Sequence, residues 1–131
     1  MEYTLKILED QKIIHITAKG QWDKQTEDLM THEILSTVSK LSLKKVLLDM
    51  REVDFEMSLA DIFQRTQELR EQRIESRTFS FKVAIIYVSK DRKTEDNFSF
   101  FETAARNRGL PYKIFTGLDE AFAWLTESLP V

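Results

Sequence analysis

At 131 residues the chain is long enough for one domain with one sizeable core, spanning residues 1–131. Apolar residues at 42% and charged residues at 31% exclude a disordered composition, and a formal net charge of -3 argues against general nucleic-acid binding, which needs a cationic surface. The absence of cysteine excludes disulfides, thiolate catalysis and thiolate zinc sites together.

Tyr3, Leu5 and Ile7 alternate with polar neighbours, as a half-buried strand should. After Glu9-Asp10-Gln11 the run Lys12 to Ala18 predicts a second strand, and so short a connection implies an antiparallel hairpin. Gly20-Gln21-Trp22-Asp23 is expected to break that strand. Asp23 or Thr26 can then cap a helix whose apolar stripe is Met30, Ile34, Val38 and Leu41.

Lys44 to Met50 predicts the next strand, followed by the loop Arg51-Glu52-Val53-Asp54-Phe55-Glu56-Met57. From Leu59 the apolar positions Leu59, Ile62, Phe63 and Leu69 fall at helical spacing. Ser58 with Asp61 three residues on reads as a capping arrangement at the start of that helix. The strand FKVAIIYV, from Phe81 to Val88, is apolar on both faces and therefore expected to be central. A third helix carries Phe98, Phe101, Ala104 and Ala105, and Gly109 is placed to stop it in a left-handed conformation. A short strand, Pro111 to Phe115, precedes a last helix after Thr116, with Asp119 as capping partner and Leu118, Phe122 and Leu125 as its buried side.

The order β-β-α-β-α-β-α-β-α predicts a single α/β domain: a mostly parallel five-stranded sheet with an N-terminal antiparallel hairpin and four helices. Ile14, Ile16, Val46, Leu48 and Met50 form one apolar set, and the alternate set, His15, Thr17, Lys45 and Asp49, is wetter. One face of the sheet is therefore expected to be fully covered and the other only partly. The N-terminal stretch has no basic region followed by an apolar run, and Val83 to Val88, the longest apolar run, is too short to cross a bilayer. A cytoplasmic protein is the expectation.

The segment KKVLLDMREVDFEMSLADI, placed as strand, loop and helix, resembles the STAS or SpoIIAA-like family, whose best-known members are anti-sigma-factor antagonists. FFETAARNRGLPYKIFTGLDEAFAWL is similar to the helix, edge strand and closing helix of the same family. The resemblance implies the STAS-like fold over almost the whole chain, and a non-catalytic module that binds a partner. In the antagonists the turn after this strand carries Asp-Ser-Ser-Gly, whose second serine is phosphorylated. The aligned residues here are Met57-Ser58-Leu59-Ala60, so Ser58 falls on the first serine and Leu59 on the acceptor. The implied alternative is a phosphorylation-controlled antagonist with an atypical acceptor at Ser58. Similarity of some STAS-like folds to CRAL-TRIO lipid-transfer domains supplies a motive for an apolar ligand or lipid.

The remaining candidates follow from the residues. His15 and His32 lack acidic or histidine neighbours at metal-ligand spacing, so no metal site and no cofactor are expected. Asp49 and Asp54 lie near the carboxyl end of a strand, but with no partner base in view they read as loop and solvation residues rather than catalytic ones. Arg65, Arg70, Arg73, Arg77, Arg106 and Arg108 read as solvated charges near helix C-termini. Trp22, Phe55 and Met57, with Ser58, occupy the loops where the binding crevice of such a sheet lies and are the candidate ligand-binding residues. Phe100 is turned about 100° from Phe101 on an ideal helix, away from the buried side. It is the candidate for a partner or membrane surface, with a homodimer or peripheral membrane contact as what it would serve.

Overall fold

The structure, a computed structural model, describes residues 1–78 and 80–127. Its elements in chain order are β1 (Glu2–Leu8), β2 (Ile13–Gln21), α1 (Lys24–Leu41), β3 (Lys45–Asp54), α2 (Leu59–Ser76), β4 (Lys82–Ile86), α3 (Arg92–Asn107), β5 (Tyr112–Phe115) and α4 (Leu118–Thr126). The strands form one sheet in the order β1-β2-β3-β4-β5, with β1 and β2 antiparallel and the other pairs parallel. This is the expected α/β fold.

The strand order explains where the helices lie. Each step from β2 to β5 moves one place in the same direction, and right-handed crossovers then put every connecting helix on one face. The core on that face joins Ile14, Ile16, Val46, Leu48, Val83 and Ile85 to Met30, Ile34 and Val38 of α1 and to Phe98 and Phe101 of α3. Only α4, which follows the last strand and makes no crossover, covers the other face. There Ala121 and Leu125 pack on Ile13, Leu47, Ala84 and Ile86. His15, Thr17 and Asp49 share that second face and stay partly or fully wet, as the alternation predicts.

Several boundaries and buried faces differ from the sequence reading. β2 does not break at Gly20: a register shift between Thr17 and Lys19 lets it run on, and Gly20 pairs with Val53 and Gln21 with Asp54. The bulge absorbs one residue, and Gly20 supplies the positive φ of 102° that the continued strand needs. β3 continues correspondingly to Asp54, and β4 ends at Ile86, leaving Val88 50% exposed. β4 is interior, between β3 and β5, but the middle strand of the sheet is β3.

Leu41 is exposed in the last turn of α1, beyond the reach of the sheet. The buried side of α2 is Ile62, Arg65, Thr66, Leu69 and Arg73, whereas Leu59 and Phe63 are exposed. At about 100° per residue, Phe63 lies 100° away from Ile62, while Thr66, Leu69 and Arg73 return to within about 40° of it. The stripe of α2 is thus partly written in polar residues. α4 is capped by Gly117 rather than Thr116, with no side-chain bond, and Leu118 is largely outside the core. Asp119 nevertheless sits in the first turn, where the helix dipole favours a carboxylate.

Candidate functional site

The sheet and its three crossover helices enclose a cavity of about 90 Å³ between α1, α2, α3 and the covered face of the sheet. Its walls are mostly apolar: Met30, Ile34 and Leu35 from α1, Leu48 and Met50 from β3, and Val83 and Ile85 from β4. Trp22, Phe55 and Met57 line it as well. Residues of two loops more than thirty positions apart in sequence are thereby brought together.

Each is held by a local reason. Trp22 follows β2, and its amide donates to the Asp54 carbonyl at 2.8 Å, which ties the two loops together beyond the last strand pair. Its indole N–H donates to the Glu27 carboxylate, so the amphipathic ring shows the cavity its apolar body. Phe55 stands edge-on to Tyr87 at 5.5 Å and to Phe98 at 5.0 Å, while Tyr87 and Phe98 stack at 4.1 Å. The Met57 carbonyl accepts from the Asn97 side-chain amide at 3.2 Å, which links this loop to α3.

Ser58 is exposed and does not line the cavity. Its hydroxyl accepts from the Asp61 amide at 3.1 Å, and the Asp61 carboxylate accepts from the Ser58 amide at 3.2 Å, a reciprocal capping box at the N-terminus of α2. The neighbouring Leu59 is 54% exposed. Phe100 is half-buried on α3 and lies outside the cavity wall.

The reading of the arginines as solvated fails at two positions. Arg65 is 3% exposed and Arg73 is 4% exposed, and both line the cavity. Arg65 donates to Asp28 at 2.7 Å, to Glu68 at 3.0 Å and to the Thr31 hydroxyl at 3.0 Å. Its Nε lies 3.1 Å from the Glu27 carboxylate, within ion-pair reach but not aligned as a hydrogen bond. Burial pushes the Glu27 carboxyl above its ordinary value, against the opposing pull of Arg65 and the Trp22 indole. Arg73 donates to the Phe81 carbonyl at 2.9 Å and spreads its guanidinium over the Phe81 ring at 3.6 Å. Among the others, Arg108 covers the exposed Phe63 ring at 4.6 Å and Arg106 pairs with Glu102 at 3.1 Å.

Glu27, Arg65 and Arg73 were missed as site residues by sequence reasoning. A signal existed: Ile62, Arg65, Leu69 and Arg73 step by three and four, so both arginines occupy core positions of an apolar stripe.

The remaining candidates are scattered. Asp49 is on the other face of the sheet, clamped by Arg51 through bonds of 2.6 and 2.9 Å that hold its carboxyl below the usual range. Asp54 meets Lys90 at 2.9 Å in solvent. His15 is half-buried near Asp49, with burial lowering its basicity and Nε2 unbonded, and His32 is exposed. Among the described residues no group of three or more histidines and carboxylates could hold a metal ion, and no helix is long and apolar enough to cross a membrane.

No family model and no curated protein matches the sequence. Similarity appears at the level of structure. The anti-sigma factor antagonist SpoIIAA in its unphosphorylated form superposes with a TM-score of 0.59 at 13% identity, covering 94% of this chain and 95% of that one. An anti-sigma factor antagonist from Mycobacterium paratuberculosis gives 0.60 at 11% identity, over 96% of both chains. An uncharacterised DUF3478 protein with a SpoIIAA-like fold from Shewanella loihica PV-4 gives 0.55 at 19% identity, over 94% of this chain and 93% of that one. With its mixed five-stranded sheet, four helices and near-complete overlap with these structures, the chain has the SpoIIAA-like fold.

Proposed function

We propose that this chain is a non-catalytic binding module that takes a small apolar ligand into the cavity beneath Trp22, Phe55 and Met57. The observation that carries the reading is the cavity itself. Loop aromatics that could have closed on each other instead form one wall of an apolar space of about 90 Å³, and apolar pockets with a few placed polar groups are the usual form of a small-molecule site. Among the described residues the one carboxylate in the wall, Glu27, is engaged by Trp22 and Arg65. That leaves no free base to drive a reaction there.

Intrinsic Trp22 fluorescence tests this directly. Titration with xenon, a small neutral apolar probe, should quench that emission in a Trp124→Phe background that leaves Trp22 as the reporter, and a further Met57→Phe substitution that fills the space should abolish the response. Native mass spectrometry of freshly purified protein should also show a bound small molecule. An unresponsive Trp22 with no co-purifying species would refute the reading.

A second reading, recognition of a protein partner under phosphorylation control at Ser58, is favoured by one observation. Ser58 is exposed at the N-terminus of an 18-residue helix, where a phosphate meets unpaired amides and the positive end of the dipole. The similar antagonist structures belong to proteins that act on anti-sigma factors. Phosphoserine at position 58 in protein isolated from its native cells would establish this reading, and its absence under all growth conditions would remove it. In either reading the protein works in the cytoplasm, without nucleic acid. Phe100 remains the proposed contact for a homodimer or a membrane surface, to be checked by sedimentation and liposome binding of Phe100→Ser.

A further inference from the structure

Two arginines of α2 are buried against the cavity, and only one of them is neutralised. Arg65 lies within ion-pair distance of three carboxylates, Glu27, Asp28 and Glu68. Arg73 follows eight residues later, about 12 Å along the same side of the helix. It is 4% exposed, and no carboxylate among the described residues pairs with it. One terminal nitrogen donates to the Phe81 carbonyl at 2.9 Å. The rings of Phe81 and Tyr112, at 3.6 and 5.3 Å from its central carbon, offer it π-faces but no negative charge. Its Nε and Nη2 are buried and have no hydrogen-bond partner among the described residues.

Those two nitrogens share one edge of the guanidinium. That edge presents two parallel N–H groups, the fork that receives a planar carboxylate through two bonds. Neither nitrogen has surface open to the cavity, although Arg73 is part of its wall. We infer that the cavity takes a monocarboxylate with a short apolar body, and that the Arg73 guanidinium turns its Nε and Nη2 edge to the carboxylate on binding. The inference rests on the apolar-ligand reading above and adds the chemical class of the ligand.

Charge and size narrow the class. Arg65 is already surrounded by carboxylates and no lysine among the described residues lines the cavity, so of these residues one free positive charge meets the ligand. A phosphate dianion would find only half of its charge answered. The space is about 90 Å³, against ~150 Å³ for an engineered apolar cavity that holds benzene. In proportion it holds about four heavy atoms, the carboxylate included, as in a two- or three-carbon carboxylic acid.

The test compares propanoate, its neutral isostere propanamide, and ethylphosphonate by NMR titration and thermal shift at pH 7, with xenon as a neutral probe of the cavity. Wild-type protein should bind propanoate at least tenfold more tightly than propanamide. Arg73→Met should bring the two within twofold of each other, and Arg73→Lys, which keeps the charge but not the fork, should fall between. Equal affinity of the wild type for propanoate and propanamide overturns the assignment of Arg73 while leaving the apolar cavity standing. Xenon binding without either propanoate or propanamide does the same. Tighter binding of ethylphosphonate overturns the carboxylate. Failure of every probe, xenon included, overturns the apolar-ligand reading together with the inference. The wild-type comparison decides the matter even where Arg73→Met does not fold.

Discussion

Arg65→Met is the perturbation for which the structure permits the fullest reckoning. Breaking a buried ion pair by removing one partner costs ~3–5 kcal/mol, because the other charge is left uncompensated. Here three carboxylates lose a partner, but they are not equally stranded. Asp28 and Glu68 have side chains 31% and 21% exposed and keep Lys24, at 3.1 and 3.5 Å. Glu27 keeps only the Trp22 indole. The loss is therefore dominated by Glu27, whose side chain is 16% exposed and the least exposed of the three, and the expected destabilisation at pH 7 is about 2–3 kcal/mol, at and just below the lower end of that range.

The pH dependence has a definite sign. Burial already raises the Glu27 pKa, and losing the Arg65 charge raises it further. A carboxyl whose folded pKa lies above its unfolded value contributes stability that is present below the unfolded pKa, near 4.5, and lost as pH rises through the folded one. The variant should accordingly recover part of its deficit between pH 7 and pH 5, as Glu27 takes up a proton. Urea midpoints for wild type and variant at both pH values provide the measurement. A deficit below about 1 kcal/mol at pH 7, the size of an exposed pair, or one that grows on acidification, would show that Arg65 does not compensate Glu27.

Ser58→Ala should lower stability by about 1 kcal/mol through loss of the capping box, read as a shift in the urea midpoint, and leave probe binding in the cavity unchanged. Gly20→Ala should destabilise by more than about 1 kcal/mol, because alanine does not tolerate a positive φ, and a neutral result in the same assay would deny the strained bulge. Asp49→Asn should cost stability at neutral pH that disappears on acidification: the Arg51-depressed carboxyl contributes stability present above its ordinary pKa of 3.8 and lost as pH falls through its lower folded value. Stability curves of the two proteins that stay parallel below pH 3 would contradict the Arg51 clamp.

How far the sequence can be read depends on which forces decide each feature. Strand and helix order follow from the spacing of apolar residues, which is local, and the two faces of the sheet could be assigned from Ile14, Ile16, Val46 and Leu48 against His15, Thr17 and Asp49. The continuation of β2 through Gly20 is different, since it depends on a parallel partner more than thirty residues away. The same holds for the site. Trp22, Phe55 and Met57 were accessible because a parallel sheet places its loops predictably at the strand ends. Glu27, Arg65 and Arg73 were not, because a charged side chain in a core stripe is assigned to solvent unless its partners are known. Apart from Glu68, the partners of Arg65 lie on α1, more than thirty residues back in the chain.

The two arginines also make opposite demands on the fold, and this distinguishes a residue kept for stability from one kept for a ligand. In Arg73→Met, the losses are one bond to the Phe81 carbonyl, about 1 kcal/mol, and a guanidinium–aromatic contact of ~1–2 kcal/mol. The gains are relief of two buried donors without partners, ~1–3 kcal/mol each, and of a buried cation without a counter-charge. Methionine replaces the alkyl stem and leaves an apolar side chain among Leu69, Phe81 and Tyr112. The sum favours the variant, so Arg73→Met should match or exceed the wild type in urea denaturation without ligand, where Arg65→Met loses about 2–3 kcal/mol. Saturating propanoate should stabilise the wild type and not the variant, since only a state that binds ligand gains from it. A loss of more than about 2 kcal/mol in ligand-free Arg73→Met would mean that this arginine, like Arg65, is held by the fold, and that its free edge needs no carboxylate to account for it.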